Sequence, residues 1–181
     1  IWTFNSLFFE FLFFEHTFNN YVGLQDGAVN RCNSNIDFGV GIRVLAGDQT
    51  GYAYVENVTL KEMLNAARTA ARIATGGKAT LPVALTDKPI KTNYYSVKMP
   101  WEEVILKSKM PYLQRLNDRI FALDKRVHKV SASLTDTTSH ILFCNSEGVM
   151  YYDYRPMVTL GAVCIMEENG KVENGYAARA Y

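Results

Sequence analysis

The first third of the chain has the residue pattern of β-strands. Aromatic and apolar residues dominate LFFEFLFFEH at 7–16. NNYVGLQ follows, and the dipeptide Asp26-Gly27 after it is typical of a tight hairpin turn. Strand-like residues resume over 28–45, where apolar side chains come to alternate with glycine or arginine. After a turn at AGDQTG the segment YAYV returns, so the pattern predicts about four strands before the first helix.

The stretch GVGIRVLAGDQTGYAY is unusual for a hairpin because it contains four glycines, and glycine weakens a strand. We assign Gly47 and Gly51 to the turn, whose sequence Gly-Asp-Gln-Thr-Gly has the expected chemistry. Gly39 and Gly41 are not explained by a turn, and they leave one face of the strand bare beside Arg43. A bare strand face suits the close approach of another backbone.

Two segments have helical patterns. At 59–75, Thr59-Leu60-Lys61-Glu62 matches a capping box, and an apolar stripe made mostly of alanine predicts a helix that lies close against its sheet before Gly76-Gly77 ends it. A second helical segment is predicted at about 101–123, where Pro111 indicates a kink or two helices in succession. Between them we expect a loop that includes a short strand, NYYSVK.

From Arg126 onward the chain returns to strands, with turns predicted at 145–148 and at Asn169-Gly170. The strands include RVHKVSASL and HILFC, and the run MVTLGAVCIM is apolar at both alternating positions, which predicts a central strand covered on both faces. The elements together predict a single α+β domain over 1–181, a mainly antiparallel sheet of several hairpins with the two helical segments packed on it.

Composition and charge exclude several kinds of partner. The 181 residues carry a net charge of +1 at pH 7 without an extended basic patch, so we expect neither nucleic acid nor a membrane surface as a partner. The apolar amino end lacks a basic flank and a cleavage motif and is too short to span a bilayer. Cys32, Cys144 and Cys164 lack metal-type spacing and are predicted to be buried thiols of a reducing compartment, in keeping with a cytoplasmic location.

The sequence shows no catalytic constellation. His16, His128 and His140 are scattered over predicted strands without the spacing of a zinc motif, so we expect structural roles and no metal site. Tyrosines beside the turn-closing glycines of two hairpins allow two interpretations: packing within the sheet, or a surface that binds a peptide or a partner. These tyrosines are Tyr52, Tyr54, Tyr151, Tyr152 and Tyr154.

The glycine-rich hairpin and the capped helix together resemble a known family. GVGIRVLAGDQTGYAYVENVTLKEMLNAARTAARIA is similar to the amino-terminal domain of the TldD/PmbA proteins, named modulator of DNA gyrase. NSEGVMYYDYRPMVTL and EENGKVENGY agree with the same family, and the resemblance, which covers about residues 13–181, is closer to the TldD branch than to the PmbA (TldE) branch. The chain departs from the family at its beginning, where an amphipathic helix usually precedes the first strand.

The resemblance implies a two-part protein. In TldD-like members the amino-terminal α+β domain precedes a β-rich carboxy-terminal domain, in which an H-E-x-x-x-H helix and a distant cysteine hold zinc, and the metal activates water with the motif glutamate as general base. TldD-like and PmbA-like subunits pair, and the TldD-like subunit cleaves unfolded peptides. This chain stops before that motif, so no catalytic residue and no metal ligand is assigned, and the segment alone is predicted to be inactive.

The implied function is therefore that of an amino-terminal substrate-channel and assembly domain of a zinc metallopeptidase that cleaves small unfolded or leader peptides. The expected partners are the unfolded peptide and a homologous TldD/PmbA-type subunit, in a dimer or heterodimer. The alternatives are a non-catalytic peptide-binding or subunit-assembly module and a regulator of DNA gyrase. The last of these has no support in charge or motif.

The predicted substrate-binding residues belong to the glycine-rich hairpin. They would let an extended peptide approach the sheet closely and pair with a strand. The alternative that we keep is that the two strand glycines only make room for the alanine-faced helix. The residues are Gly39, Gly41, Arg43, Tyr52 and Tyr54.

Overall fold

The computed structural model describes residues 8–75, 84–92 and 94–181, and strands account for 57% of it. Seven strands, two α-helices and a short 3₁₀ helix follow one another in the described chain. In order they are β1 (Phe8–Gln25), β2 (Ala28–Ala46), β3 (Gln49–Val55), α1 (Leu60–Thr75), β4 (Thr86–Asp87), the 3₁₀ helix (Trp101–Glu103), α2 (Leu106–Leu123), β5 (Val127–Asn145), β6 (Val149–Glu168) and β7 (Lys171–Ala180).

The strands pair in the order β3-β2-β1-β5-β6-β4, and β7 pairs with β6. β3 runs antiparallel to β2 and β7 runs antiparallel to β6, whereas the two-residue β4 pairs in parallel with the start of β6. The fold is therefore α+β and mainly antiparallel, as predicted, with strands in the majority.

Both predicted hairpin dipeptides form turns with positive φ angles. The φ angles are 51° and 81° at Asp26-Gly27, and 52° and 75° at Asn169-Gly170. Two successive residues with positive φ match the type I′ turn, whose twist suits the strands on either side. Both turn predictions are confirmed.

Several strands that we expected to be separate join into one long strand. In β5 the polar segment TDTTS continues the strand between the predicted pieces RVHKVSASL and HILFC, and Asp136 and Thr138 are buried within it. Composition alone places such a segment in a turn. The strand continues because the buried carboxylate of Asp136 has hydrogen-bond partners, which are described below.

The short strand predicted for NYYSVK does not form. Residues 94–98 contain no strand, and residue 93 lies outside the described residues, as do Gly76-Gly77, the predicted helix end. The strand found between the helices is β4, where the Thr86 N–H donates to the Gly148 oxygen at 2.6 Å. A strand-like composition does not make a strand unless a partner edge is available to it.

The chain divides into two compact units that interleave along the sequence. Unit 1 comprises Ile1–Thr17, Asp37–Tyr94 and Ser139–Tyr154, and unit 2 comprises Phe18–Ile36, Tyr95–Thr138 and Arg155–Tyr181. Strands β1, β2, β5 and β6 therefore contribute residues to both units. The single domain predicted over 1–181 stays a prediction, because this division does not test whether either unit folds alone.

In unit 1, helix α1 packs on β2 and β3. Thr59 caps the helix as predicted, since its Oγ1 accepts a hydrogen bond from the backbone N–H of Glu62 at 3.3 Å. The core joins alternate residues of β2 to the alanine stripe of the helix. The buried residues are Val40, Ile42, Val44, Ala66, Ala70 and Ala74.

Gly51 allows α1 to lie this close to the sheet. A Cβ atom on Gly51 would be 2.8 Å from the carbonyl carbon of Ala70 and would overlap the Ala70 oxygen. The assignment of Gly51 to the turn is wrong, because β3 begins at Gln49 and Gly51 faces the helix. Gly47, with a φ of 58°, is a turn glycine as predicted.

In unit 2, helix α2 packs on β1, β5 and β6, with Leu113 fully buried at the contact. Pro111 lies inside α2 and does not divide it. The separate element ahead of α2 is the 3₁₀ helix, and Ile105 then provides the N-cap of α2. The strand residues that share this core are Val22, Leu24, Ala132 and Leu134, with Val158 and Leu160 at its margin.

Unit 2 also buries an ion pair. Lys109 Nζ lies 2.6 Å from Asp136 Oδ2, and the two side chains are 5% and 1% exposed. Asn20 Nδ2 donates to the other Asp136 oxygen at 2.9 Å, and Lys109 Nζ lies 5.9 Å from the centre of the Trp101 ring. Both carboxylate oxygens are therefore hydrogen-bonded, which a buried charge requires.

Two burial predictions are wrong. The segment MVTLGAVCIM is not covered on both faces, since α2 covers only the side of β6 that carries Val158 and Leu160, and Met157 and Val163 are 51% and 38% exposed. The cysteines are also not all buried. Cys144 is buried, and burial raises the pKa of its thiol. Cys164 is half-buried, and Cys32 is exposed.

Replacing Gly51 by valine tests the close contact with α1. A Cβ at this position overlaps helix backbone, which cannot rotate away as a side chain can, so we expect the free energy of unfolding to fall by about 2 kcal/mol or more. Gly175→Ala is the control, because a Cβ there meets only Cys164 Sγ, at 3.5 Å. Urea unfolding measures both variants. A Gly51→Val chain as stable as the wild type would contradict this account of the packing.

Removing the cation of the buried pair tests whether Asp136 depends on it. Lys109→Met leaves a buried carboxylate without its counter-charge, so we expect a loss of about 3–5 kcal/mol in the free energy of unfolding. The double variant Lys109→Met/Asp136→Leu removes both charges and should recover most of that loss. Urea unfolding of the three proteins is the measurement. If both variants lost the same free energy of unfolding, the unpaired charge of Asp136 would not be the cause of the loss.

Candidate functional site

Unit 1 has a concavity of about 570 Å³ on the sheet face opposite α1. Three adjacent strands line it with alternate residues, because every second residue of a strand points to the same face. We call this concavity the tyrosine groove. Its residues are Phe11, Phe13, Glu15 and Thr17 from β1, Asp37, Gly39, Gly41 and Arg43 from β2, and Thr50, Tyr52 and Tyr54 from β3, with Phe38 also bordering it.

All five residues predicted to bind substrate line the tyrosine groove. The antiparallel register places Gly41 opposite Tyr54 and Arg43 opposite Tyr52, and Gly39 follows on the same face of β2. The residues that sequence reasoning missed come mainly from β1. Their signal is the alternation Phe11-x-Phe13-x-Glu15, which points to this site only once β1 is known to pair with β2.

Each of the two tyrosine rings lies over a glycine of the neighbouring strand. A Cβ atom on Gly39 would be 2.6 Å from Tyr54 Cζ, and one on Gly41 would be 2.8 Å from Tyr52 Oη. These are diagonal cross-strand neighbours, within reach of an aromatic side chain. The prediction that this face of β2 is bare is therefore wrong, because tyrosines of β3 cover it.

The structure also corrects the alternative explanation of the glycines. That alternative was that Gly39 and Gly41 make room for the alanine-faced helix. In the structure both glycines lie on the face of β2 opposite α1. The glycine in contact with the helix is Gly51. The hairpin thus uses glycine on both faces, for a helix backbone on one side and for tyrosine rings on the other.

Charged and polar groups surround the aromatic surface. The Arg43 guanidinium lies 5.8 Å from the centre of the Phe11 ring, an arrangement typical of a cation–π contact. Thr17 Oγ1 donates to Glu15 Oε1 at 2.9 Å and lies 2.7 Å from Ser139 Oγ. Tyr52 and Tyr54 remain 56% and 49% exposed. The groove therefore presents apolar rings with both signs of charge nearby.

The pKa of Tyr54 is raised above its ordinary value of 10.0. The largest cause is partial removal of the phenol from water, and the carboxylates of Glu56 and Asp37 add to it by disfavouring the phenolate. The hydroxyl of Tyr54 therefore stays protonated at neutral pH. It is available as a hydrogen-bond donor to a ligand in the groove.

The other predicted tyrosines, Tyr151, Tyr152 and Tyr154, lie outside the groove in unit 1 together with His16 and His140, whereas His128 belongs to unit 2. The Tyr151 ring stacks on Phe143 with centres 5.0 Å apart, and Tyr152 Oη lies 2.6 Å from His140 Nδ1. These contacts favour the packing interpretation for Tyr151 and Tyr152. His16, His128 and His140 are in strands, as predicted.

The described part of the chain contains no group of three or more His, Cys, Asp or Glu side chains that could hold a metal ion. The described residues therefore do not fit a catalytic zinc ion. We assign no metal-dependent catalytic step to the residues of the tyrosine groove. None of the helices within the described residues is long and apolar enough to cross a membrane.

Comparison with known protein families gives two matches that follow each other along the chain. Residues 12–74 match the model of PmbA/TldA metallopeptidase domain 1, and residues 100–181 match that of the PmbA/TldA metallopeptidase central domain. A relative from Haemophilus influenzae named metalloprotease TldD homolog is 32% identical over 155 residues, which cover 84% of this chain and 32% of that protein. The chain thus spans about a third of the length of the curated relatives that it matches.

Solved structures share the fold. A Thermotoga maritima protein described as a candidate modulator of a DNA gyrase superposes with a TM-score of 0.71 at 19% identity, over 97% of this chain and 40% of that one. TldE from Thermococcus kodakarensis superposes with a TM-score of 0.62 at 15% identity, over 96% and 39% of the two chains. On the family matches and the shared fold, the chain belongs to the PmbA/TldD metallopeptidase family.

Proposed function

We propose that this chain forms the substrate-channel and assembly part of a TldD-like zinc metallopeptidase that cleaves small unfolded or leader peptides in the cytoplasm. The observation that carries the proposal is the tyrosine groove, in which the five predicted binding residues come together on one face of unit 1. Membership of a metallopeptidase family supports the choice of a peptide as the ligand.

The groove suits an extended peptide in two respects. Its volume of about 570 Å³ lies within the usual range of ligand pockets, and its aromatic rings offer apolar contacts that do not depend on peptide sequence. β3 pairs only with β2 among the described residues, so its outer edge is open to strand pairing. A peptide paired there would place alternate side chains beside Tyr52 and Tyr54.

The proposed division of labour leaves catalysis to another part of the protein. The described residues contain no group that fits a metal ion, so the zinc, its ligands and the general base are proposed to lie outside them. What this chain contributes is peptide binding and orientation. On its own it is proposed to be inactive.

The proposed partner in assembly is a homologous TldD/PmbA-type subunit, and the fold shared with TldE supports this choice. The alternative function is a non-catalytic peptide-binding or assembly module of the TldE type. Metal analysis of the whole polypeptide that contains this chain separates the two functions. Bound zinc together with cleavage of an unstructured peptide supports the peptidase, and the absence of both supports the module.

Direct regulation of DNA gyrase has less support. A structural relative bears that description, but the net charge of +1 offers no field that would gather DNA. The tyrosine groove has a single arginine among its lining residues, together with the carboxylates of Glu15 and Asp37. A surface of this charge favours a peptide over a nucleic acid.

Alanine substitutions test the tyrosine groove directly. We expect Tyr52→Ala and Tyr54→Ala each to weaken binding of a fluorescein-labelled unstructured peptide about tenfold, since truncation of an aromatic anchor costs about 1.4 kcal/mol or more. Tyr94→Ala is the matched control, because Tyr94 is 77% exposed and lies outside the groove. Fluorescence anisotropy measures the three dissociation constants. Equal weakening by Tyr94→Ala, or none by the groove variants, would contradict the proposal.

Gly41→Val separates peptide binding from fold stability. The added side chain must displace the Tyr52 ring, whose hydroxyl lies 2.8 Å from the Cβ position, but the ring is exposed and free to turn outward. We therefore expect weaker peptide binding with a loss of less than about 1 kcal/mol in the free energy of unfolding. Anisotropy and urea unfolding on the same sample give both values. Lower stability with unchanged binding would assign Gly41 to packing alone.

A further inference from the structure

Strand β7 is an open edge of the sheet in unit 2. All ten residues of Lys171–Ala180 are exposed, and among the described residues the strand pairs only with β6. Its pairing with β6 is uninterrupted from Glu168↔Lys171 to Thr159↔Ala180, and it contains no proline. An edge of this length without a bulge or a proline is a template for pairing with another strand.

The hydrogen-bond pattern shows which residues of β7 face the open edge. Val158 and Tyr181 exchange both of their backbone hydrogen bonds, each at 2.9 Å. In an antiparallel pair such exchanges recur at every second residue, so Tyr181 and alternate residues before it direct their N–H and C=O groups toward β6. The residues between them direct those groups outward, and they are Val172, Asn174, Tyr176, Ala178 and Ala180.

These outward groups limit how a second β7 can pair with the first. Outward-facing residues of one copy must lie opposite outward-facing residues of the other. From one allowed register to the next, the partner of each residue therefore shifts by two positions and the twofold axis shifts by one residue. With the twofold axis at Gly175, Lys171 of one copy would face Arg179 of the other. With the axis at Tyr176, Glu173 of each copy faces Arg179 of the other, on both sides of the axis.

Charge favours the second of these registers, because opposite charges across a strand pair stabilise it and like charges destabilise it. An axis at Val172 also pairs Lys171 with Glu173, but only residues 171–173 of each β7 then overlap. An axis at Asn174 or at Ala177 forms no charge pair, and an axis at Glu173 places two glutamates together. Within one chain Glu173 lies opposite Met166 and Arg179 lies opposite Leu160. Neither has an ion-pair partner among the described residues.

We propose that β7 is a docking edge for β7 of a second copy of this chain, antiparallel, with the twofold axis at Tyr176. Each outward-facing residue then makes two backbone hydrogen bonds to the other copy, and the two Tyr176 rings lie side by side. The inference deepens the assembly part of the proposed function by naming a surface and a register. It does not depend on the peptide-binding part.

Cysteine cross-linking tests the register. In a Cys32→Ser background, which removes the exposed native thiol, Tyr176→Cys places two thiols on the axis. Directly opposite residues have Cα atoms about 5.5 Å apart, which is within the range that a disulfide spans. In a glutathione redox buffer we expect a disulfide-linked dimer of Tyr176→Cys on a non-reducing gel. Absence of this dimer would overturn the proposal.

Off-axis cysteines supply the matched control. Asn174 lies opposite Ala178 of the other copy, so Asn174→Cys alone should not cross-link, whereas an equal mixture with Ala178→Cys should. Self-linking of Asn174→Cys as efficient as that of Tyr176→Cys would show random collision and overturn the register. The charge pair is tested in the Tyr176→Cys background, where Glu173→Arg should reduce the yield about fivefold or more and added Arg179→Glu should restore it.

Peptide binding on the same proteins keeps the two proposals apart. The β7 substitutions lie in unit 2 and outside the tyrosine groove, so the peptide dissociation constant should not change. Failure of cross-linking with normal peptide binding overturns the docking edge alone. Loss of peptide binding in the groove variants with normal Tyr176→Cys cross-linking overturns the peptide-binding role alone.

Discussion

Unit 1 depends on the contact between Gly51 and the backbone of α1. The helix presents alanines to the sheet, and with no side chain at Gly51 its backbone can approach β3 closely enough for Val40, Ile42 and Val44 to be buried beneath it. This contact assigns α1 to one face of the hairpin. The tyrosines of β3 are left on the other face, where their rings remain accessible.

On the opposite face of the hairpin, glycine again allows a close contact, this time with tyrosine rings. Gly39 and Gly41 have no side chains, so the rings of Tyr54 and Tyr52 lie directly on the strand where they line the tyrosine groove. Apolar rings, one arginine and two carboxylates make the surface that we propose for an extended peptide, and the described residues contain no group of His, Cys, Asp or Glu side chains that could hold a metal ion. The proposed division of labour therefore gives peptide binding to this chain and leaves catalysis to another part of the protein.

The sequence predicted what depends on local patterns and missed what depends on contacts between distant segments. The capped helix and the turns at Asp26-Gly27 and Asn169-Gly170 were readable from local chemistry. The five residues of the glycine-rich hairpin do line one groove, and their role in binding stays a prediction. The role of Gly51 was not, because only the position of Ala70 distinguishes a turn glycine from one in contact with a helix. The continuity of β5 was not readable either, since the buried Asp136 depends on Lys109, 27 residues earlier in the chain. β1 entered the groove only through its pairing with β2.

Hydrogen–deuterium exchange with and without an unstructured peptide tests the central claim most directly, because it locates the binding surface without any substitution. We expect saturating peptide to slow amide exchange in β3 and in the part of β2 that carries Gly39 and Gly41. Amides of α2 and of β7 should exchange at an unchanged rate. Protection confined to unit 2, with β2 and β3 of unit 1 unaffected by bound peptide, would contradict the assignment of the tyrosine groove as the peptide-binding surface.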